Sequence, residues 1–259
     1  MENRSIIFFD IDGTLFNREK KVPASTKEAI AKLKEQGHLV AIATGRAPFM
    51  YEELRKELDI QTFVSYNGQY VVLNGEVLYT NPLNISSLKT LTEVALRHNH
   101  PIVYMDHEDM KANVPEHAYI SESIETLKIS RFPTYDPNYY KERDLYQSLL
   151  FCTEGEEVQY EQEFTDFDFI RWHPYSVDVL PKGGSKAKGI ERIVNKLGFK
   201  PEQVYAFGDG LNDIDMLTKI ENSVAMGNAE ERVKQSAKYI TKSVEDNGIY
   251  HGLQMVGLL

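Results

Sequence analysis

The chain opens on a short apolar run, Ser5 to Phe9, that stops abruptly at Asp10; a buried strand ending in polar residues is a pattern that recurs along the sequence. Ala29, Ile30 and Leu33 fall at helical spacing, with Ser25 and Glu28 placed as a capping box before them and Gly37 placed to end the helix. Leu39 to Ala43 reads as the next strand, a helix covers about Tyr51 to Leu58, and a third strand lies near Phe63 to Ser65. Asn67-Gly68 and Asn74-Gly75 then bracket Tyr70 to Leu73 as hairpin turns. Short apolar strands alternating with helices predict a parallel sheet with helices on its faces.

From about Pro82 the rhythm changes. A helix over Ser87 to Asn99, strands at Ile102 to Tyr104 and Leu149 to Phe151, a helix over Val158 to Phe164 and a strand at Val177 to Leu180 predict an inserted α+β domain. The stretch Arg131 to Arg143, with Pro133 and Pro137, has no period and reads as loop. After Pro181-Lys182-Gly183-Gly184 the first rhythm returns. It gives a helix capped by Ser185 and running to Leu197, strands at Val204 to Phe207 and Ser223 to Met226, and a helix through Glu230 to Ala237. A short strand at Tyr239 to Thr241 and a last helix at Tyr250 to Val256 follow. The predicted fold class is therefore α/β: a Rossmann-like parallel sheet built from residues 1–81 and 182–259, interrupted by an α+β domain over 82–181.

Composition narrows the partners. The 259 residues suffice for one large domain or two modest ones, and 42% hydrophobic residues is ordinary for a globular chain. A net charge of −10, from 29 basic and 39 acidic side chains with no Lys/Arg-rich run, argues against a nucleic-acid or anionic-membrane partner. The single cysteine, Cys152, excludes an internal disulfide and reads as a small core residue. No stretch has the length and apolarity of a membrane span, and the apolar start is too short for a signal peptide, so the expected location is cytoplasmic.

Four segments carry chemistry. In Asp10-Ile11-Asp12-Gly13-Thr14, two carboxylates stand at the mouth of an apolar strand, where ligands gather in parallel sheets. Asp-Gly alone reads as a surface turn, but two acids at that place are costly unless compensated, and a metal ion is the natural compensation. Gly208 to Met216 repeats the arrangement, with Asp209, Asn212 and Asp213 offering only hard oxygen ligands, which suit Mg²⁺. A calcium-loop reading fails, because Leu211 fills the position where that loop needs its second oxygen. Ala43-Thr44-Gly45-Arg46 offers a hydroxyl and backbone N–H groups to phosphate oxygens, and Gly184-Ser185-Lys186 brings one positive charge to a helix start. A bound divalent cation would also reverse the local sign of an acidic chain toward an anionic substrate.

In their order and at their strand ends, these segments resemble the haloacid dehalogenase (HAD) superfamily over nearly the whole chain. The insertion between the second and third motifs is similar to the type IIB, or C2B, cap of the Cof-type sugar-phosphate phosphatases. Pro181 to Ile190 resembles that group's Lys-Gly-x-Ser-Lys segment. The resemblance implies a Mg²⁺-dependent phosphatase acting on a small phosphorylated metabolite through an aspartyl-phosphate. In that reading Asp10 is the nucleophile, and Asp12 is the acid that protonates the leaving group and then the base that activates water. Asp10, Asp209 and the Asp12 carbonyl would hold the metal, while Asp213 orients a metal-bound water or Lys186. Thr44, Lys186, Asn212 and the backbone N–H groups of Ile11 and Gly45 would hold the phosphoryl group.

The presence of Asp12 favours a phosphatase over a dehalogenase, since an alkoxide needs a proton to leave and a halide does not. Phosphohexomutase-like transfer is the nearest alternative, with Arg131, Arg143 or Arg171 gripping a second phosphate. A non-catalytic Mg²⁺-dependent regulatory or binding protein is the alternative from another class, and the intact Asp10, Asp12, Lys186, Asp209 and Asp213 count against it. Candidate leaving-group contacts are Asn67 beside the core site and Asp106, His107, Trp172, His173 and Asp178 in the insertion. Hexose and pentose phosphates, phosphoglycolate, flavin mononucleotide and pyridoxal phosphate all remain open as substrates, as does the oligomeric state.

Overall fold

The computed structural model describes residues 4–259, and the chain divides into two compact units. The first runs through Gly45, resumes over Glu53–Tyr79 and returns over Ser185–Leu259; the second comprises Arg46–Glu52 and Thr80–Gly184. The short Arg46–Glu52 segment, read from sequence as part of the sheet domain, belongs with the inserted unit.

The first unit is built on an eight-stranded sheet in the order Tyr239–Ile240, Asn222–Ala225, Val204–Gly208, Ile6–Phe9, Leu39–Ala43, Phe63–Ser65, Tyr70–Leu73 and Glu76–Thr80. The pairs from Tyr239–Ile240 through Phe63–Ser65 are parallel, and the sheet turns antiparallel at the hairpin that follows. Ile6, Ile7, Phe8 and Phe9 are all fully buried, as a strand covered on both faces requires, which is why the segment reads as a continuous apolar run rather than an alternation. The next strand in sequence, Leu39–Ala43, pairs on one side of this strand and Val204–Gly208 on the other, so the chain order reverses here, and in open α/β sheets ligands gather beyond the carboxyl ends at such a point.

The helix Lys186–Leu197 is set by its ends. Ser185 Oγ accepts from the Lys188 N–H at 3.3 Å, and Gly198 closes the helix in the left-handed conformation. Its approach to the sheet depends on Gly189, where an added Cβ would lie 2.4 Å from Val64. One local expectation fails: no capping box forms at Ser25. The first helix spans Ala24–Glu35 with Pro23 at the N-cap position, which puts Ser25 inside the first turn. Its hydroxyl donates instead to Asn247 Oδ1 at 2.6 Å, and Glu28 pairs with Lys32. The helix expected through Glu230 to Ala237 is a single turn, Glu231–Lys234.

The second unit carries a six-stranded sheet in the order Phe167–His173, Ser176–Pro181, Gln147–Leu150, Ile102–Met105, Met110–Ala112 and Thr134–Tyr135. Helices Ile85–Arg97 and Val158–Glu163 bring Leu88, Leu91 and Tyr160 into one core with Tyr104, Leu150, Val177 and Val179. Cys152 lies in the same core, where burial pushes its thiol up to about 11. Four elements here were not legible: the strand Met110–Ala112, the helix Ala118–Thr126, the strand Thr134–Tyr135, which lies inside the stretch read as loop, and the strand Phe167–His173. Met110–Ala112 has three residues, the helix buries only Ile120, Ser123 and Ile124, and Phe167–His173 is broken by Asp168 and Arg171. Among the described residues no helix is long and apolar enough to cross a membrane.

Candidate active site

Asp10 follows the first strand directly, and its N–H donates to Phe207 O at 2.9 Å on the neighbouring strand. That neighbour runs straight on into Asp209, while Thr44 follows Leu39–Ala43. Parallel pairing therefore delivers three motif residues to one edge of one sheet. Lys186, the first residue of its helix, completes the group: its Nζ donates to Asp10 Oδ1 and to Asp213 Oδ1, each at 2.6 Å. All three side chains are buried. The second Asp213 oxygen accepts from the N–H groups of Asp209 and Gly210, both at 2.9 Å, and so ties the loop after the strand into a fixed turn. Asp209 accepts from Thr14 Oγ1 at 3.0 Å and from Asn228 Nδ2 at 3.1 Å.

Ligand oxygens of Asp10, Asp209 and Asp213 lie within 4.8 Å of one another. Burial pushes the Asp10 carboxyl well above its ordinary value; Lys186 opposes this, while Asp213, Asp209 and Asp12 reinforce it. Burial and then Asp213 raise Asp209 to about 7. Burial alone would lower the Lys186 ammonium, but Asp10 and Asp213 outweigh it and hold Lys186 above its usual value. Three carboxylates thus face one ammonium. Once ionised they exceed it by two negative charges, presented only by hard oxygens, an arrangement that fits a small divalent cation.

Asp12 is not one of these three carboxylates, although its charge is felt at Asp10. Its side chain is 40% exposed and forms an ion pair with Lys20. The intervening Gly13 has φ +80°, and a Cβ there would fall 2.0 Å from Asp209 Oδ2, so only glycine lets the first loop pass over the second. On the other flank Thr44 is buried, and its carbonyl accepts from the Asn67 N–H at 3.1 Å. Asn67 sits at φ 50° in the hairpin turn and accepts from Asn212 Nδ2 at 3.3 Å. A Cβ on Gly45 would meet the Asn67 amide at 3.1 Å, which places Gly45, Asn67 and Asn212 side by side. The buried Ile11 follows Asp10 in the same loop.

Sequence reasoning did not single out Asn228, Lys20 or the bond from Thr14 to Asp209. Asn228 could have been found by the strand-end rule, since it stands just beyond Asn222–Ala225. Lys20 carries no such signal.

The candidates in the second unit do not form one cluster. Asp106 accepts from Tyr139 Oη at 2.7 Å, Arg143 at 2.8 Å and the N–H groups of Glu108 and Asp109, so its carboxylate is engaged within its own unit. His107 is largely exposed beside Glu108. His173 Nδ1 lies 2.9 Å from Ser123 Oγ. Asp178 accepts from Gln147 Nε2 at 2.8 Å; burial pushes it up to about 8, with Trp172 opposing. The three arginines weighed for a second phosphate are also tied down. Arg171 binds Glu157 at 2.6 Å and the carbonyls of Cys152, Thr153, His173 and Pro174, Arg143 covers the Tyr139 ring, and Arg131 donates to Glu108 O.

Residues 7–253 match the family model of the haloacid dehalogenase-like hydrolases. The Bacillus subtilis protein YkrA, which carries a provisional phosphatase name, is 44% identical over 254 residues, covering 98% of each chain. A solved structure from Geobacillus kaustophilus, described as a hypothetical protein, is 52% identical with a TM-score of 0.95, covering 99% of this chain and 100% of that one. The HAD subclass IIB sugar phosphatase BT4131 is 30% identical with a TM-score of 0.86, covering 98% of this chain and 100% of that one.

Proposed function

Because the chain belongs to the haloacid dehalogenase-like hydrolase family and is a phosphatase of its subclass IIB, we propose that it hydrolyses small phosphomonoesters, sugar phosphates or similar metabolites, with Mg²⁺ and through an aspartyl-phosphate at Asp10. The observation that carries this reading is the buried Asp10 at the sheet's switch point, held by Lys186 and grouped with Asp209 and Asp213. Asp10, Asp209 and the Asp12 carbonyl would hold Mg²⁺, which when bound offsets the charge of the phosphate and of the carboxylates facing it.

Asp10 forms the bond to phosphorus as the ester P–O bond breaks, and Asp12 gives its proton to the departing alkoxide. Water then attacks phosphorus, its proton passes to Asp12, and the electron pair of the broken P–O bond returns to Asp10. Lys186 stays charged throughout, and with Thr44, Asn212 and the N–H groups of Ile11 and Gly45 it stabilises the transferring phosphoryl oxygens. The likeness to BT4131, a sugar phosphatase, supports a sugar phosphate as substrate. The engaged arginines of the second unit leave mutase-like transfer without an evident grip for a second phosphate. A cytoplasmic setting suits the lone, buried cysteine.

The test is phosphate release from a panel of phosphomonoesters with and without Mg²⁺, for the intact protein and Asp10→Asn. Release that needs Mg²⁺ and vanishes in the variant supports the mechanism, and the order of kcat/KM values names the substrate class. Appreciable turnover by Asp10→Asn would refute the nucleophilic role.

A further inference from the structure

Lys20 has no part in the steps above, yet its ammonium donates to Asp12 Oδ1. The side chain is presented by a closely specified turn. The Asn17 N–H donates to Lys21 O at 3.0 Å and the Lys20 N–H to Asn17 O at 2.9 Å. Asn17 Oδ1 accepts from the N–H groups of Glu19 and Lys21 at 3.1 and 3.0 Å. The Arg18 N–H donates to Glu245 Oε1 at 3.1 Å, which fastens the turn to a distant part of the same unit. Lys20 itself adopts φ 59°, a left-handed conformation unusual for lysine. The turn therefore fixes where the lysine stem starts, and the ion pair fixes where it ends.

A half-exposed Lys–Asp pair adds little stability, so the contact matters chiefly through the geometry it imposes on Asp12. We propose that Lys20 is a positioning residue: by holding one oxygen of the Asp12 carboxylate, it fixes the carboxylate plane in the orientation that accepts a proton from the water attacking the aspartyl-phosphate. In that step the water oxygen bonds to phosphorus, the bond from phosphorus to the Asp10 oxygen breaks, and the water proton passes to Asp12. Lys20 neither gains nor loses a proton. The proposal rests on the aspartyl-phosphate reading.

Rapid mixing with p-nitrophenyl phosphate and Mg²⁺ tests it, because this leaving group departs without protonation and isolates the second step. Lys20→Met should release close to one p-nitrophenolate per active site in a burst, then turn over about 10-fold more slowly than the intact protein, part of the ~10²–10⁴ supplied by a well-placed base. Acid quenching should trap more phosphoenzyme at steady state in the variant than in the intact protein, and Lys20→Arg should restore most of the rate. Equal loss of burst amplitude and steady rate, or phosphoenzyme no higher than in the intact protein, would overturn the role of Lys20 while leaving the aspartyl-phosphate in place. Absence of trapped phosphoenzyme from both proteins would overturn both readings.

Discussion

Replacing Asp10 by Asn should abolish turnover and yet, with divalent metal removed, make the protein more stable near neutral pH. Lys186 lies 2.6 Å from the Asp10 carboxylate, worth about 6 kcal/mol of attraction at an effective dielectric near ~20. Asp209 and Asp213 come within 4.8 Å of it and each contribute roughly 3–4 kcal/mol of repulsion at the same dielectric. The charge terms nearly cancel, which leaves the cost of withdrawing the carboxylate from water, and burial is the leading reason that Asp10 is raised. A carboxyl raised in the folded state keeps its proton there while the unfolded chain loses it. Stability is therefore lost as pH climbs from about 3.9 toward the folded value.

The amide carries no such penalty. Lys186 also retains Asp213 as a partner, so the substitution leaves no ammonium unpaired. A gain on the order of 1–3 kcal/mol is expected, or a few degrees in Tm. Thermal unfolding in EDTA near pH 5 and pH 7.5 measures it, and the advantage of the variant should grow with pH. Saturating Mg²⁺ should stabilise the intact protein by mass action and shrink or reverse the difference. A variant less stable than the intact protein in EDTA near pH 7.5 would show that the Lys186 attraction dominates and refute the reasoning. Lys186→Met should act in the opposite sense, costing about 3–5 kcal/mol by leaving buried carboxylates unpaired.

Gly13→Ala should lower kcat/KM at least ~10-fold, since the added carbon must displace Asp209 and the backbone is left-handed there; activity within about twofold of the intact protein would contradict that close approach. Asp178→Asn should stabilise the protein more at pH 8 than at pH 5. This half-buried acid is raised to about 8, so its cost grows with pH between about 3.9 and that value, on the order of 1–2 kcal/mol after allowance for its partial exposure. Urea midpoints at the two pH values measure this, and a pH-independent difference would count against a raised acid at this position. Arg171→Met should cost about 1–3 kcal/mol by stranding the partly exposed Glu157 carboxylate and several carbonyls, and a loss under about 0.5 kcal/mol would mean the network is dispensable.

Much of the first unit was readable because its strands are buried on both faces. An apolar run such as Ile6–Phe9 can hardly be anything but a central strand, and the polar residue after it must stand at the sheet edge. The helix cap at Ser185 was equally local. The insertion was less readable. Phe167–His173 turns Arg171 inward, where only the fold supplies Glu157 and the neighbouring carbonyls that satisfy a half-buried guanidinium. The failed capping box at Ser25 has the same cause, because Asn247, 222 residues away, offered its hydroxyl a partner that the local pattern could not anticipate.

The sequence by itself determined which segments are strands and where their acids emerge, because burial writes its period along a single element. Only the tertiary structure decided which of those acids meet. Lys186 reaches Asp10 across 176 residues, and Asp213 turns back to hold its own loop. Asn228 closes over Asp209, and Lys20 finds Asp12. Those partnerships follow from the order in which strands enter the sheet and from the turns between them, and long-range order of that kind leaves no periodic trace in the chain.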